Sequence, residues 1–246
     1  MLGRYGRSVV DEQVIERALV ITAHPDDVDF GAAGTVATWT DAGIEVSYCL
    51  VTDGDAGGHD RTVSRVDMIE IRRAEQTAAA KHVGVTDLHF LGFPDGRVEA
   101  SLDLRRELSR VIRKVQPHRV LSPSPERNYQ RIFASHPDHL AAGEAALCAV
   151  YPDARNPFAH AELLDAGLEP WTVTEVWMMA TPTADIYVDI TDQIDRKLDA
   201  LHCHVSQHQD PDMLERLIRD WGSMVAEAAG FPKGHLAEGF QRVPTT

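Results

Sequence analysis

Short, uninterrupted apolar runs alternate along this chain with longer segments in which apolar residues recur at helical spacing. Ala18 to Ala23 (ALVITA) carries no charge and is rich in β-branched residues, as a strand covered on both faces would be. Val46–Thr52 (VSYCLVT), Leu88–Leu91 and Arg119–Ser122 are further strands, and Glu175–Ala180 and Ile186–Ile190 are late ones. Between them, Gly31–Ala42 predicts a helix stopped by Gly43. Ser64–Val83 carries Val66, Ile69, Ala74 and Ala78 at helical spacing and stops at Gly84. Leu102–Val115 is a helix that must end before Pro117. His136–Val150, Asp192–Gln209 and Asp212–Ala229 complete the helices. Strand–helix alternation of this kind predicts an α/β fold, a mostly parallel sheet with helices on both faces. Ligands of such sheets lie beyond the carboxyl ends of the strands, near a switch in strand order. Chemistry is therefore expected just after the first, second and fourth strands.

Composition narrows the class. With 246 residues, 43% hydrophobic and 25% charged, the chain resembles an average globular protein. It shows no repeat, low-complexity tract or linker, so residues 1–246 are expected to form a single domain. No run approaches the roughly 18 apolar residues of a membrane helix, so no membrane insertion is expected. Met1 to Asp11 lacks the apolar stretch of a signal peptide. Cys49, Cys148 and Cys203 are widely spaced and odd in number, which fits neither a disulfide framework nor a CxxC zinc site. A reduced, cytoplasmic setting is expected. The net charge of −14 repels phosphate backbones and argues against nucleic-acid partners, while leaving a small neutral ligand open.

Two motifs carry chemistry. His24-Pro25-Asp26-Asp27 follows the first strand, and Ser135-His136-Pro137-Asp138-His139 opens the helix after the fourth. One His-Pro-Asp is usually a turn with a capping carboxylate. Two in one chain are expected by chance only on the order of 0.1 times at this composition, and both stand where the fold class puts a site. A divalent ion such as zinc takes imidazole and carboxylate ligands and leaves a position for water in catalytic sites. His24 and Asp27 lie three apart across a tight turn and can close on one ion. Asp26 points elsewhere and can take a proton from the water such a site activates. His136 and His139 share a face in a first helical turn, with Ser135 as a candidate N-cap and Pro137 tolerated there. One of these histidines can complete the metal triad. The other can point into the pocket, with Asp138 holding its tautomer.

AHPDDVDFGAAGT, VTDGDAGG, RRAEQ, FPDG and SHPDH together resemble the LmbE-like, or PIG-L-type, N-acetylglucosaminyl deacetylases, relatives of the mycothiol and bacillithiol deacetylases. The likeness runs from about Leu19 to Gln207. It implies a Rossmann-like fold and zinc-dependent hydrolysis of an acetamido group on an amino-sugar conjugate. By this resemblance His24, Asp27 and His139 hold the metal and Asp26 is the general base. His136 stabilises the tetrahedral oxyanion and can protonate the leaving amine, and Asp138 is its partner. Arg72 and Asp95 fall where family members hold sugar hydroxyls, and Asp55 is a further candidate. Val28 and Asp29 stand where acids often follow HPDD, and Ala134 stands where the mycothiol-pathway enzyme has an aromatic residue.

Other signals are weaker. His202, His204 and His208 imitate a metal cluster, but no acid or second cysteine completes it, so a structural or surface role is expected. The family often has His-x-Ser-Gln here, which also makes His204 and Gln207 candidates for the pocket wall. The glycines of 54–58 match no phosphate loop and are read as tight turns. Trp171, Trp177, Met178 and Met179 are expected to pack the core. Asp192 is a candidate helix cap. The residues from Ala229 on could close the pocket, cover a neighbour or hang loose. Rival readings are an amidase cleaving a larger amide in a mycothiol-type conjugate, a two-His-one-carboxylate iron(II) enzyme, and a binding module without catalysis. Fe2+ in place of zinc and a homo-oligomeric state are left open by the sequence.

Overall fold

The computed structural model describes residues 14–246; the Met1–Asp11 stretch discussed above lies outside them. In β1 (Arg17–Thr22) every side chain from Ala18 on is buried, and successive ones enter two different cores. Ala18 and Val20 pack with Val36, Tyr48 and Trp177; Leu19 and Ile21 pack with Val51, Leu108 and Ile112. Two covered faces explain why ALVITA has no charged position. A single helical turn, α1 (Asp27–Gly31), and then α2 (Ala33–Asp41) follow, so the one helix expected over Gly31–Ala42 is split at Ala32. The strand β2 (Glu45–Thr52), the long helix α3 (Arg65–His82) and β3 (Asp87–Phe93) come next. After them stand α4 (Leu102–Val115), β4 (Arg119–Pro123), α5 (Pro137–Cys148), the short α6 (Ala161–Asp165) and β5 (Glu175–Met179). The α3 and α4 starts are set by Ser64 and Ser101, whose hydroxyls accept from Asp67 N–H at 3.1 Å and Leu104 N–H at 3.2 Å.

Five strands pair in parallel in the order β3-β2-β1-β4-β5. The helices α2 and α3 cover one face, and α4 and α5 the other. Strand order reverses between β1 and β4, so the loops leaving their carboxyl ends diverge and open a crevice. Both His-Pro-Asp motifs sit on its rims. Gly143 in α5 permits the helix to lie directly on the end of β4. A Cβ there would fall on the carbonyl oxygen of Pro123 and 3.0 Å from the Pro125 nitrogen.

Three expectations about the second half are corrected. After β6 (Ile186–Asp189), the helix α7 (Ile194–His202) stops at His202 instead of running to Gln209, so His204 and His208 lie in the turn beyond it. Asp192 is not a cap either: Gln193 stands at the N-terminus of α7 without a capping side-chain bond, and Asp189 accepts from Thr191 N–H at 2.9 Å in the turn before it. Beyond α8 (Pro211–Ala228), the tail is neither loose nor a lid. It forms β7 (Ala237–Pro244), which enters the sheet antiparallel between β5 and β6. Trp177, Met178 and Met179 are buried as expected. No described helix is long and apolar enough to cross a membrane.

Candidate active site

At the end of β1 the chain reverses through His24-Pro25-Asp26-Asp27. Asp26 adopts a left-handed backbone at φ 84°, a conformation L-residues other than Asn and Asp seldom take. The Asp27 carboxylate accepts from the His24 N–H at 2.8 Å and closes the turn. Across the crevice, Ser135 is not the N-cap of α5. Its hydroxyl accepts from Asn128 N–H at 2.7 Å, and His136 takes the capping position, with Nδ1 accepting from Asp138 N–H at 3.2 Å. That bond leaves the ring proton of neutral His136 on Nε2.

The two motifs bring three side chains together, His24, Asp27 and His139. His24 Nδ1 is 3.2 Å from His139 Nε2 and 3.6 Å from Asp27 Oδ2, and His139 Nε2 is 3.0 Å from Asp27 Oδ1. Three ligands each about 2.0–2.2 Å from one tetrahedral ion stand roughly 3.3–3.6 Å apart, so the spacing fits a divalent cation. His136 approaches the same point, its ring 5.0 Å from that of His24 and 5.4 Å from that of His139. His24, His136 and His139 accordingly also form a ligand-spaced group.

The other nitrogen of His24 faces away from this point. Its Nε2 is 3.1 Å from Asp95 Oδ1 and 3.2 Å from Asp138 Oδ2. Backbone N–H groups hold both carboxylates: Ala56 donates to Asp95 at 2.9 Å, and Gly96 and Val98 donate to Asp138 at 2.7 and 3.2 Å. A carboxylate behind a ligating imidazole fixes its tautomer and orientation. This corrects the reading of Asp138: its carboxylate serves His24, and only its main-chain N–H addresses His136. It also shifts the reading of Asp95, which lines the cavity while its oxygens brace His24 and the Ala56 turn. Asp55 does not line the cavity. It pairs with Arg65 at 2.6 Å and accepts from Asp95 N–H at 3.3 Å, so it supports the loop from behind.

Electrostatics set the site apart. Four carboxylates, of Asp26, Asp27, Asp95 and Asp138, crowd one imidazole. Burial alone would lower the His24 pKa, but Asp138, Asp27 and Asp95 overcome it and hold the ring protonated up to about 12. Burial likewise opposes ionisation of Asp27, yet His139 and His24 hold its carboxyl well below the usual range. Such a cage demands positive charge at its centre, whether a proton or a metal ion. Asp26 behaves differently. Burial, with Asp27 adding to it, lifts its carboxyl to about 6 against the pull of Arg72. Burial and then the neighbouring His24 and His139 push His136 below the ordinary imidazole range.

A cavity of about 370 Å³ opens over these groups, lined by His24, Asp26, Arg72, Asp95, His136 and His139, with Phe133 at its mouth. Arg72 is 4% exposed; it donates to the carbonyls of Pro25 and Gly54 and, at 3.0 Å, to Asp26 Oδ2. Gly54, at φ 66°, gives the guanidinium room: a Cβ there would overlap it. Sequence reasoning missed Phe133, which is 72% exposed, and it missed Gln76, whose place in RRAEQ was the available signal. His204 is fully buried against Asp29 at 2.8 Å, which bears out a structural role but not a surface one.

The PIG-L model, GlcNAc-PI de-N-acetylase, matches residues 19–150, more than half of the chain and all four strands around the crevice. This chain belongs to the PIG-L family. Within the family it is 35% identical over 231 residues to the diacetylchitobiose deacetylase of Thermococcus kodakarensis, covering 94% of this chain and 84% of that one. It is 32% identical to a probable N-acetyl-α-D-glucosaminyl L-malate deacetylase of Bacillus cereus, over 77% of this chain and 82% of the relative. The solved N,N'-diacetylchitobiose deacetylase of Pyrococcus horikoshii superposes with a TM-score of 0.86 at 32% identity, covering 94% and 84% of the two chains.

Proposed function

We propose that this PIG-L protein is a metal-dependent hydrolase that removes the N-acetyl group from an N-acetylglucosamine-type sugar conjugate, with zinc as its ion. One observation carries the reading: the inward-facing nitrogens of His24 and His139 and the Asp27 carboxylate converge beside a further carboxylate, Asp26, that bonds to none of them and, among the described residues, is hydrogen-bonded only by Arg72, at the floor of an open cavity. A divalent ion held by His24, Asp27 and His139 would supply Lewis acidity for water and for the acyl oxygen. Two imidazoles and a carboxylate suit zinc as well as iron(II), and the deacetylase relatives favour hydrolysis over oxygen chemistry.

The side chains divide the remaining work. Asp26, with its carboxyl lifted towards neutrality, accepts a proton from the attacking water as the new C–O bond forms at the acetyl carbon. Arg72 fixes the aim of that carboxylate through its 3.0 Å bond. His136 donates Nε2–H to the oxygen on which negative charge grows, a contribution of roughly 3–4 kcal/mol in comparable sites. The leaving nitrogen receives the proton that Asp26 took, the C–N bond breaks as the oxyanion collapses to the carboxylic acid, and the acid proton passes back to the regenerated Asp26 carboxylate, leaving acetate and the free amine. Asp138 and Asp95 hold His24, and the cavity has room for the rest of the conjugate.

The test is acetate release from a panel of N-acetylglucosamine conjugates by metal-free and zinc-restored protein. Wild type is expected to release acetate only with zinc. Asp26→Asn should keep stoichiometric metal and lose roughly 10²–10⁴-fold in turnover. Wild-type turnover in that variant would remove Asp26 from the reaction.

A further inference from the structure

Three features of the sequence motifs find no part in this mechanism: Asp29 after HPDD, Gln76 in RRAEQ, and His204 before Ser206-Gln207. The fold brings them together from α1, α3 and the turn after α7, and all three are fully buried. Asp26 N–H donates to Gln76 Oε1 at 2.7 Å. Gln76 Nε2 donates to Asp29 Oδ2 at 2.9 Å, and His204 Nε2 meets the same oxygen at 2.8 Å. Asp29 Oδ1 and His204 Nδ1 have no partner among the described residues.

The logic of this chain is directional. A carboxylate only accepts, so Asp29 compels Gln76 to present its NH2 to it and its oxygen to Asp26. A flipped amide would set oxygen against oxygen and NH2 against N–H. Asp29 is in turn held by His204. The far end of the chain is the Asp26 peptide in its left-handed conformation, which an L-residue keeps only where its surroundings hold it. That peptide sets the direction in which the Asp26 side chain leaves the backbone.

We propose that Gln76, Asp29 and His204 are positioning residues that lock the Asp26 peptide and so aim its carboxylate at the reacting water. The part concerning the carboxylate rests on the function proposed above; the part concerning the peptide does not. Misplacing a reacting group by about an ångström costs on the order of 10²-fold. Gln76→Met keeps length and removes both hydrogen bonds. It is expected to lower kcat about 10–100-fold with KM and metal content near wild type. Asp29→Leu should do the same. Asp29→Asn, whose oxygen can accept from both Gln76 and His204, should restore most of the rate.

Two measurements test the proposal separately. Hydrogen exchange at the Asp26 amide reads the lock without reference to activity; Gln76→Met should expose it, and unchanged protection would overturn the proposal. The second is a cycle with Asp26→Asn, in which Gln76→Met should cost nothing further if it acts through Asp26. An equal loss in both backgrounds would overturn the coupling to catalysis. Full activity of Asp26→Asn itself would sink the general-base reading and, if protection is still lost in Gln76→Met, leave the peptide lock standing. Thermal melting of each variant identifies any that merely fails to fold, and Asp29→Asn supplies the reading in that case.

Discussion

Replacing Gly143 by alanine sets two physical effects against each other, and the structure decides the sign. In an ordinary helix the change stabilises by about 0.5–1 kcal/mol, because glycine loses more backbone freedom on folding. Here the added methyl would fall on the Pro123 carbonyl and 3.0 Å from the Pro125 nitrogen, both main-chain atoms that cannot rotate aside. The helix α5 must back away from the end of β4 by on the order of 1 Å to restore normal contact. Overpacking of this kind costs about 1–3 kcal/mol, which outweighs the helical gain. Gly143 stands one turn beyond His139 on the same face, so the movement reaches the proposed metal ligands directly. The 3.0 and 3.2 Å gaps from His139 to Asp27 and His24 would open well past the ±0.2 Å that a metal site tolerates. Gly143→Ala should thus weaken zinc binding by at least about tenfold and lower Tm by roughly 2–4 °C per kcal/mol of net loss. Zinc titration and thermal melting, each run on metal-free and zinc-loaded protein, give both numbers. A variant that melts higher than wild type with unchanged zinc affinity would refute the argument that the close approach of α5 sets the His139 position.

Three further outcomes are expected. Chelation should lower Tm and added zinc restore it by mass action, because the caged carboxylates then lack their cation; identical melting curves would count against a resident ion. Lys197→Met should cost about 3–5 kcal/mol in denaturant unfolding, since it strands Glu238, buried and bonded at 2.5 Å, and adding Glu238→Gln should recover part of that loss. Phe133→Ala should raise KM for sugar conjugates several-fold while leaving kcat and metal content alone, as the ring touches the cavity only at its mouth; a kcat effect alone would contradict this.

The parallel half of the fold was legible because four of its strands, β1, β2, β4 and β5, are largely buried and so spelled mostly in apolar letters, β1 above all, while the half-exposed edge strand β3 still carries a short apolar core. The strand β7 was not. AEGFQRVP does not alternate as a strand signal would, because a buried charge, Glu238, and the glycine beside it interrupt the pattern and its hydrophobic anchors are few, chiefly Phe240 and Val243. The end of α7 was hidden for a different reason. Cys203 to Gln209 has no glycine or proline to announce a stop, and the turn is fixed by His204 reaching across to Asp29. Local spacing was enough to pair His24 with Asp27 and to offer His136 or His139 as a third ligand, and the family resemblance chose His139. Spacing could not reveal which imidazole Asp138 serves, since that depends on a helix start meeting a strand end 114 residues earlier in the chain.

Both neighbours of β7 precede it in the chain, β5 by some sixty residues, so during synthesis each waits with an open edge until the last partner emerges. Such edges are templates for pairing with other molecules. Until 237–244 are made, half of the sheet is incomplete while the crevice strands can already assemble. A protease cut near Gly230 or Gly234 would recreate that vulnerable intermediate in a finished molecule, exposing a sticky sheet edge without touching His24, Asp27 or His139.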